Sequence, residues 1–538
     1  MPYRLFGLSN FASLLGLLAY PFLVEPRVTL QQQSWGWSTA YAAFVLLGAI
    51  TAFVSRRSAP ADACPEPEQP APDAGDCRPP KKREQLLWLL LAGCASTLLL
   101  AVTNHLTQNV ASIPFLWVLP LGLYLLTFIL TFDLEKLYNR KVFVWILAIA
   151  LSGMAYGLSH WNSHTSLKLV IPSFCAGLFI ACLFCHGELV KRKPAPQYLT
   201  SFYLMLSAGG ALGGVLVGIV APRVLPGYFE LGFALIACAG LMLVVIEYRA
   251  WRFTIAIAYA VTVGVVLATS LYVQSYRDSA HRMVRNFYGG LRVQEYDKGS
   301  IDETRMLAHG TVDHGMQLMT PERRQEHITY YGPGSGVGLA IKTLRHSSLR
   351  VGVLGLGAGS LAAYAQRGDI FRFYEINPLV EMLARTDFTY LADCRGETSV
   401  VLGDGRLALE REPGQQYDLL VIDAFSGDAV PVHLLTKQAI ELYFRHLKPD
   451  GILALNITNT HLDLTPVVDK LSSVLGKHAV LVRNEPDEDR KIYRASWALV
   501  SSQPFTSAWI RGAAVALESR PGLRVWTDDY NNLFEIWK

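Results

Sequence analysis

The chain has 538 residues, of which 51% are hydrophobic and only 17% are charged, and its mean hydropathy is +0.27. Soluble proteins usually contain about 25% charged residues, so this composition excludes an entirely soluble chain and predicts a membrane-embedded part. The formal net charge of +4 is too small to favour a nucleic-acid partner.

Apolar runs recur in the first half of the chain, and each has about the length of a membrane-spanning helix, roughly 17–25 residues. They lie near residues 5–24, 35–54, 86–103, 114–132, 142–159, 168–187, 199–220, 229–248 and 252–273. We therefore predict a transmembrane domain of about eight or nine helices over residues 1–275. The Pro-rich and acidic segment 55–84 is typical of a disordered loop.

Three further features of this half are informative. Small residues at 208–214 predict close helix–helix contact. Most of the eight cysteines lie inside apolar runs, which favours reduced, packed thiols over a disulfide framework. Basic residues are concentrated in alternate loops, at 56–83, 136–141, 191–193 and 249–252. These loops would lie on one side of the membrane, and the positive-inside rule predicts that this side is cytoplasmic.

Residues 283–330 alternate between apolar and polar residues and are interrupted by glycines, which predicts a small antiparallel β unit. The unit contains a dense polar stretch with His309, His314 and Gln317. Its glycines argue against a helical metal site, and we expect no metal in the protein. These side chains are interpreted as a substrate-facing rim, with ordinary turn chemistry as the alternative.

Residues 331–538 are predicted to form a Rossmann-like α/β domain of the methyltransferase type, because short apolar runs alternate with helical patterns. The predicted strands lie at 351–355, 371–374, 399–402, 418–422, 452–457, 479–482 and 497–501.

Glycines and acids follow the first three of these strands. Gly355, Gly357 and Gly359 allow a sharp turn and a close approach of the backbone to a ligand. Glu375 ends the second strand, where a carboxylate can accept hydrogen bonds from both ribose hydroxyls, and Asp404 is placed to accept one from an adenine amino group. An NAD site would share the first two features, the glycines and Glu375, whereas the acid after the third strand favours an adenosyl sulfonium donor.

The loop after the fourth strand carries Asp423 and Asp428. A carboxylate here can accept a proton from an attacking amine and attract a cationic substrate. An alkylamine has a pKa near 10.4, so it must lose its proton before it attacks, and a positioned carboxylate typically contributes about 10²–10⁴-fold. The structural alternative makes Asp423 a helix cap and Asp428 a turn residue.

With these motifs the chain resembles the spermidine synthase (aminopropyltransferase) family over about residues 285–500. It resembles more closely the bacterial membrane proteins in which a multi-span region is fused to a spermidine synthase-like domain. The resemblance implies that Glu375 holds ribose, Asp404 holds adenine and Asp423 is the catalytic base. It also implies that Tyr330 or Tyr331 lines the amine pocket.

Two positions depart from the family pattern. Ala358 stands where the family has an aspartate that holds the amine end of the donor, and Ser426 stands where a second aspartate follows Asp423. We predict that Ser426 contacts substrate. The departures leave alternatives open: an S-adenosylmethionine-dependent methyltransferase, or a polyamine transporter or sensor with a regulatory nucleoside-binding domain.

The resemblance thus implies transfer of an aminopropyl group from decarboxylated S-adenosylmethionine to an amine such as putrescine, by a multi-pass protein of the bacterial inner membrane. Nine spans with the basic side in the cytoplasm would place the α/β domain outside. Because the donor is made in the cytoplasm, we expect one run not to span and the α/β domain to be cytoplasmic. A homodimer is left open.

Overall fold

A computed structural model describes residues 2–57, 79–110, 116–134, 136–160, 165–246, 252–310, 312–424 and 431–538. Most of the predicted loop 55–84 lies outside these ranges. The described chain has a helical half, a small four-stranded sheet and an eight-stranded sheet flanked by helices.

Apolar helices occupy the positions of all nine predicted runs, as far as the chain is described. In order they are α1 (Pro2–Ala19), α2 (Leu30–Arg57), α3 (Lys82–Asn104), α4 (Val118–Asp133), α5 (Arg140–His160), α6 (Leu167–Lys191), α7 (Leu199–Val215) with the single turn α8 (Ala221–Val224), α9 (Glu230–Val245) and α10 (Arg252–Asp278). Seven of these segments are long and apolar enough to cross a membrane, whereas α4 and α9 are shorter.

The glycines of α7 allow it to pack directly on α3. A Cβ atom on Gly209 would lie 2.3 Å from the carbonyl oxygen of Leu89, and one on Gly213 would lie 2.8 Å from that of Gly93. A larger side chain at either position would separate the two backbones. The predicted small-residue contact is therefore confirmed, and α3 becomes the centre of the helical half, where it also packs on α6 and α9.

Arg140 and Arg192, from two of the basic loops, meet at one end of this helical bundle. Glu188 near the end of α6 is fully buried and accepts hydrogen bonds from Arg140 at 2.8 Å, from Tyr138 at 2.6 Å and from Arg192. The Trp88 indole at the start of α3 donates to the Arg192 carbonyl at 3.1 Å. The first turns of α3 and α5 and the last turn of α6 therefore meet at this end.

The four-stranded sheet contacts the opposite end of the bundle. It is an antiparallel meander of β1 (Arg282–Asn286), β2 (Gly289–Tyr296), β3 (Thr304–His309) and β4 (Val312–Leu318). Arg285 on β1 forms a two-pronged ion pair with Glu230 at the start of α9, with both N–O distances 2.9 Å. Both side chains are almost fully buried, so this pair joins the two parts of the protein.

The larger sheet has five adjacent parallel strands followed by an antiparallel edge. Its strands are β5 (Arg350–Leu354), β6 (Ile370–Glu375), β7 (Glu397–Leu402), β8 (Tyr417–Ile422), β9 (Leu447–Asn456), β10 (His478–Asn484), β11 (Ala495–Ser501) and β12 (Ala514–Val515). The spatial order is β12-β10-β11-β9-β8-β5-β6-β7, and β7, β6, β5, β8 and β9 are parallel. The predicted Rossmann-like fold is confirmed.

Helices cover both faces of this sheet. They are α11 (Gly336–Leu344), α12 (Pro378–Thr386), α13 (Gly405–Arg411), α14 (Lys437–His446), α15 (Thr465–Val474) and α16 (Ala508–Ala513). Leu419 and Val421 of β8 point into one core and Leu420 and Ile422 into the other. Strands buried on both faces are continuously apolar, which explains why they were recognisable in the sequence.

We expect Arg285→Leu to lower the melting temperature of the detergent-solubilised protein, because it leaves Glu230 buried without its partner. Breaking a buried ion pair from one side typically costs about 3–5 kcal/mol. Thermal unfolding followed by differential scanning fluorimetry measures the change. Arg277→Leu, at an exposed site at the end of α10, is the control, and equal melting temperatures for both variants would contradict the prediction.

Candidate active site

A cavity of about 280 Å³ lies at the carboxyl ends of β5, β6 and β8. Strand ends of parallel sheets form the usual ligand crevice of this fold. The predicted groups Gly355, Gly357, Glu375, Asp404 and Asp423 all line it. The structure therefore brings together residues that are distant in sequence, as expected from their positions at strand ends.

The glycine loop after β5 packs against two other backbone segments. Gly355 has φ +100°, and a Cβ atom there would lie 2.3 Å from the carbonyl oxygen of Asp423. Gly357 has φ +54°, and its Cβ atom would lie 2.3 Å from the carbonyl oxygen of His314 on β4. Gly359, with φ +86°, precedes a single 3₁₀ turn, Ser360–Tyr364, in place of a longer helix. These contacts bring the small sheet to the mouth of the cavity.

Glu375 is held in place by backbone hydrogen bonds. Its two carboxylate oxygens accept from the N–H groups of Leu356 at 3.0 Å and Asn377 at 2.8 Å. Burial raises the pKa of Glu375, and the backbone donors partly oppose this rise. A carboxylate oriented in this way retains acceptor capacity on the cavity side, as two ribose hydroxyls would require.

Asp404 caps the next helix and also lines the cavity. Its Oδ1 accepts from the backbone N–H of Leu407 at 3.0 Å, which makes it the N-cap of α13, and its Oδ2 lies 3.3 Å from Nε2 of His433. The capping bond fixes the side-chain direction. Asp404 therefore combines a structural role with a position suited to an adenine amino group.

A second cavity, of about 100 Å³, adjoins the first. It is lined by Asp313, Tyr330, Tyr331 and Asn456, among others. His314, Gly357 and Asp423 line both cavities. Asp423 is thus positioned where a molecule in one cavity would meet a molecule in the other.

Asp423 accepts hydrogen bonds on both carboxylate oxygens. Tyr331 donates its hydroxyl proton to Oδ2, and the Asn456 side-chain amide donates to Oδ1 at 2.8 Å. Burial nevertheless dominates and raises the pKa of Asp423 to about 7, although both donors oppose the rise. The carboxyl group can therefore change its protonation state near neutral pH, as a general base does.

Asp313 on β4 is the main residue that sequence reasoning did not single out. It lies in the smaller cavity, and burial raises its pKa to about 6. The hydroxyl of Tyr330 donates to the Asp313 carbonyl at 3.0 Å. Asn456 was also missed, although its position at the end of a parallel strand was a usable signal.

The two histidines of the predicted rim lie at the larger cavity, and their contact with substrate stays a prediction. His309 and His314 both line the larger cavity, with ring centroids 5.6 Å apart. Burial lowers the pKa of His309, and burial together with the neighbouring His309 lowers that of His314 to about 3. Both rings are therefore neutral at physiological pH.

The remaining predicted site residues have different outcomes. Gln317 is fully buried and lies outside both cavities, where its side chain bonds to the Arg324 carbonyl and to Thr389, all at 2.9 Å. It therefore holds the small sheet to the α/β domain, which corrects its assignment as a substrate contact. Ser426 and Asp428 lie outside the described residues.

Comparison with known proteins supports a relationship to aminopropyltransferases. No family model matches the chain. It is 32% identical over 116 residues to a polyamine aminopropyltransferase from Vibrio vulnificus, covering 21% of this chain and 38% of that protein. It is 33% identical over 109 residues to an N-terminal histidine N-methyltransferase from Emericella nidulans, covering 19% of each. The matches thus span well under two thirds of these curated relatives.

Two solved structures also match part of the chain. A probable spermidine synthase from Corynebacterium glutamicum is 18% identical, with a TM-score of 0.36, over 47% of this chain and 98% of that one. Spermidine synthase from Thermotoga maritima is 14% identical, with a TM-score of 0.32, over 45% of this chain and 81% of that one.

We expect Asp423→Asn to gain stability relative to the parent protein as the pH rises. An unfolded aspartate has a pKa of about 3.9, whereas native Asp423 has a pKa of about 7, so the native state binds this proton more tightly. The parent therefore loses stability between about pH 4 and pH 7. One pKa unit corresponds to about 1.4 kcal/mol, which limits the relative gain to a few kcal/mol.

Chemical unfolding at pH 4.5, 6 and 8 measures the difference in free energy of unfolding between the variant and the parent. The difference at pH 4.5 serves as the baseline, because it reports mainly the hydrogen bonds that the asparagine amide cannot form. The exposed Asp450→Asn is the matched control and should track the parent at every pH. A stability difference for Asp423→Asn that does not change with pH would contradict the raised pKa.

Proposed function

We propose that the protein is a transferase that moves an aminopropyl group from decarboxylated S-adenosylmethionine to an amine acceptor such as putrescine. The observation that carries the proposal is the position of Asp423, a carboxyl group with a pKa of about 7, at the junction of two adjoining cavities. The larger cavity suits the adenosyl donor and the smaller one suits a short alkylamine. The relationship to a polyamine aminopropyltransferase supports the same assignment.

The charge of the donor cavity favours the decarboxylated donor. Glu375, Asp404 and Asp423 line it, and no Lys or Arg is found among the described lining residues. The neighbouring His314 is neutral, because its pKa is about 3. Ordinary S-adenosylmethionine would bring a carboxylate into this acidic site without a cationic partner, whereas the decarboxylated form brings only positive charge.

The proposed reaction is a single displacement. Asp423 accepts a proton from the ammonium form of the acceptor, and the free amine attacks the donor carbon next to the sulfonium. A C–N bond forms as the C–S bond breaks, the sulfur keeps the electron pair, and the products are the alkylated amine and methylthioadenosine. Asp313, with a pKa of about 6, is ionised at neutral pH and attracts the cationic acceptor into the smaller cavity.

Methyl transfer from ordinary S-adenosylmethionine is the second candidate, because Ala358 departs from the aminopropyltransferase pattern. This residue occupies the position where the resemblance requires an aspartate. Its side chain is buried against β4, since a Cβ atom on Gly315 would lie 2.8 Å from that of Ala358. The amine end of a decarboxylated donor would therefore need another partner, and Asp313 is the acid available beside Gly357.

We expect the purified full-length protein to form methylthioadenosine from decarboxylated S-adenosylmethionine and putrescine. Asp423→Asn should lower kcat by about 10²–10⁴-fold and remove the rise of activity with pH near 7, because the base is then absent. Glu375→Gln should mainly weaken donor binding. Quantification of nucleoside products by chromatography at pH 6–9 measures both effects.

Asp450→Asn, at an exposed site on β9, is the control and should retain the parent rate. Formation of S-adenosylhomocysteine from ordinary S-adenosylmethionine, without methylthioadenosine from the decarboxylated form, would replace aminopropyl transfer by methyl transfer. An unchanged rate for Asp423→Asn would remove the proposed base.

We also propose that the helical half is inserted in the bacterial inner membrane. The side of the membrane on which the α/β domain lies is a separate question, and the location of the donor predicts the cytoplasmic side. The ion pair between Arg285 and Glu230 joins the small sheet to one end of the bundle, whereas Glu188 and its arginines lie at the other end. With basic loops in the cytoplasm, this arrangement favours the α/β domain on the opposite, extracytoplasmic side.

We expect an epitope inserted in the exposed turn 297–302 to be accessible to antibody on intact spheroplasts. The matched insertion in the basic loop 192–195 should become accessible only after permeabilisation, because the two loops lie at opposite ends of the helices. The reverse pattern would restore the cytoplasmic expectation for the α/β domain.

A further inference from the structure

Three thiols from three different helices converge inside the helical half. They belong to Cys94 on α3, Cys185 on α6 and Cys238 on α9, and their sulfur atoms all lie within 4.8 Å of one another. Cys185 and Cys238 are fully buried, and Cys94 is 7% exposed. The cluster takes no part in the proposed transfer chemistry, which is located in the α/β domain.

The cluster is formed by rigid elements. The packing of α7 on α3 through Gly209 and Gly213 holds the helix that carries Cys94, and α3 also packs on α6 and α9. Sulfur positions fixed by packed helices need little reorganisation to bind an ion. Preorganisation of this kind is what a metal site requires from its scaffold.

The chemistry of the ligands indicates a soft ion. Thiolates select Cu(I), zinc and iron–sulfur clusters among biological metals. Structural zinc is almost always bound by four ligands in a tetrahedron, and within the described part of the chain no His, Asp or Glu joins the three thiols. Monovalent copper accepts three sulfur ligands without a fourth, and its single charge balances one thiolate in an apolar interior.

One of the three cysteines lines a cavity. Cys94 lines an apolar cavity of about 580 Å³ between α3, α7 and α9, together with Thr97 and Glu230. Cys94 is therefore the member of the cluster that borders this cavity. Glu230 belongs to the ion pair with Arg285, so the cavity extends towards the contact between the helical half and the small sheet.

We propose that Cys94, Cys185 and Cys238 form a binding site for a single Cu(I) ion. Each sulfur that binds as a thiolate releases its proton to solvent, and the oxidation state of copper does not change. The bound ion connects the three helices α3, α6 and α9. It therefore stabilises the native helical half by mass action.

The test uses the reduced full-length protein in detergent without oxygen, titrated with Cu(I) against a chromogenic Cu(I) chelator. We expect one tightly bound Cu(I) per chain, a sulfur-only coordination shell by X-ray absorption, and a higher melting temperature. Cys238→Ser and Cys185→Ser should each weaken binding by at least about tenfold. Cys175→Ser is the matched control, because Cys175 is a buried cysteine of α6 outside the cluster.

Size-exclusion chromatography and the melting temperature of the metal-free protein identify variants that fail to fold. For any such variant, the corresponding alanine substitution provides the same comparison. Equal Cu(I) binding by the parent protein and by the triple serine variant would overturn the proposal. So would an equal loss in Cys175→Ser, or a coordination shell that contains nitrogen or oxygen.

Discussion

Asp423 lies where the fold brings four segments of chain together, and the resulting loss of water around its carboxylate determines the chemistry of the site. The glycine loop lies so close that a Cβ atom on Gly355 would be 2.3 Å from the carbonyl oxygen of Asp423. Tyr331 and Asn456 donate hydrogen bonds to the two carboxylate oxygens. Burial outweighs these hydrogen bonds and raises the pKa to about 7. A carboxyl group that is an ordinary acid in the unfolded chain thereby acquires a pKa near neutral pH.

The small sheet connects this site to the helical half. His314 lies on β4 and its carbonyl contacts the glycine loop through Gly357, while Arg285 on β1 binds Glu230 of the helical half. A three-layer arrangement results, in which helices, small sheet and α/β domain follow one another. The sheet thus provides part of the cavity wall and also the attachment of the domain to the helices, so a change at one contact can alter the other.

The polarity of the arrangement has consequences for substrate supply. The α/β domain and the arginines around Glu188 lie at opposite ends of the helices, whereas the donor that we propose is a cytoplasmic metabolite. A domain outside the cytoplasm would require donor transport, and a cytoplasmic domain would require an exception to the positive-inside rule. The apolar cavity near Cys94 and the three thiols beside it belong to the helical half, away from the acidic cavity of the α/β domain.

The sequence by itself determined the periodic elements and the acids at strand ends, because buried strands are continuously apolar and their carboxyl ends define the crevice. Glu375, Asp404 and Asp423 were recognisable for this reason. Only the tertiary structure decided which side chains from separate elements share a cavity. The structure placed Asp313 in the smaller cavity and gave Gln317 a structural role. Strand alternation in the sequence does not reveal which face of the small sheet meets the neighbouring domain. Desolvation likewise depends on all surrounding atoms, and the pKa of Asp423 could not be read from its neighbours in sequence.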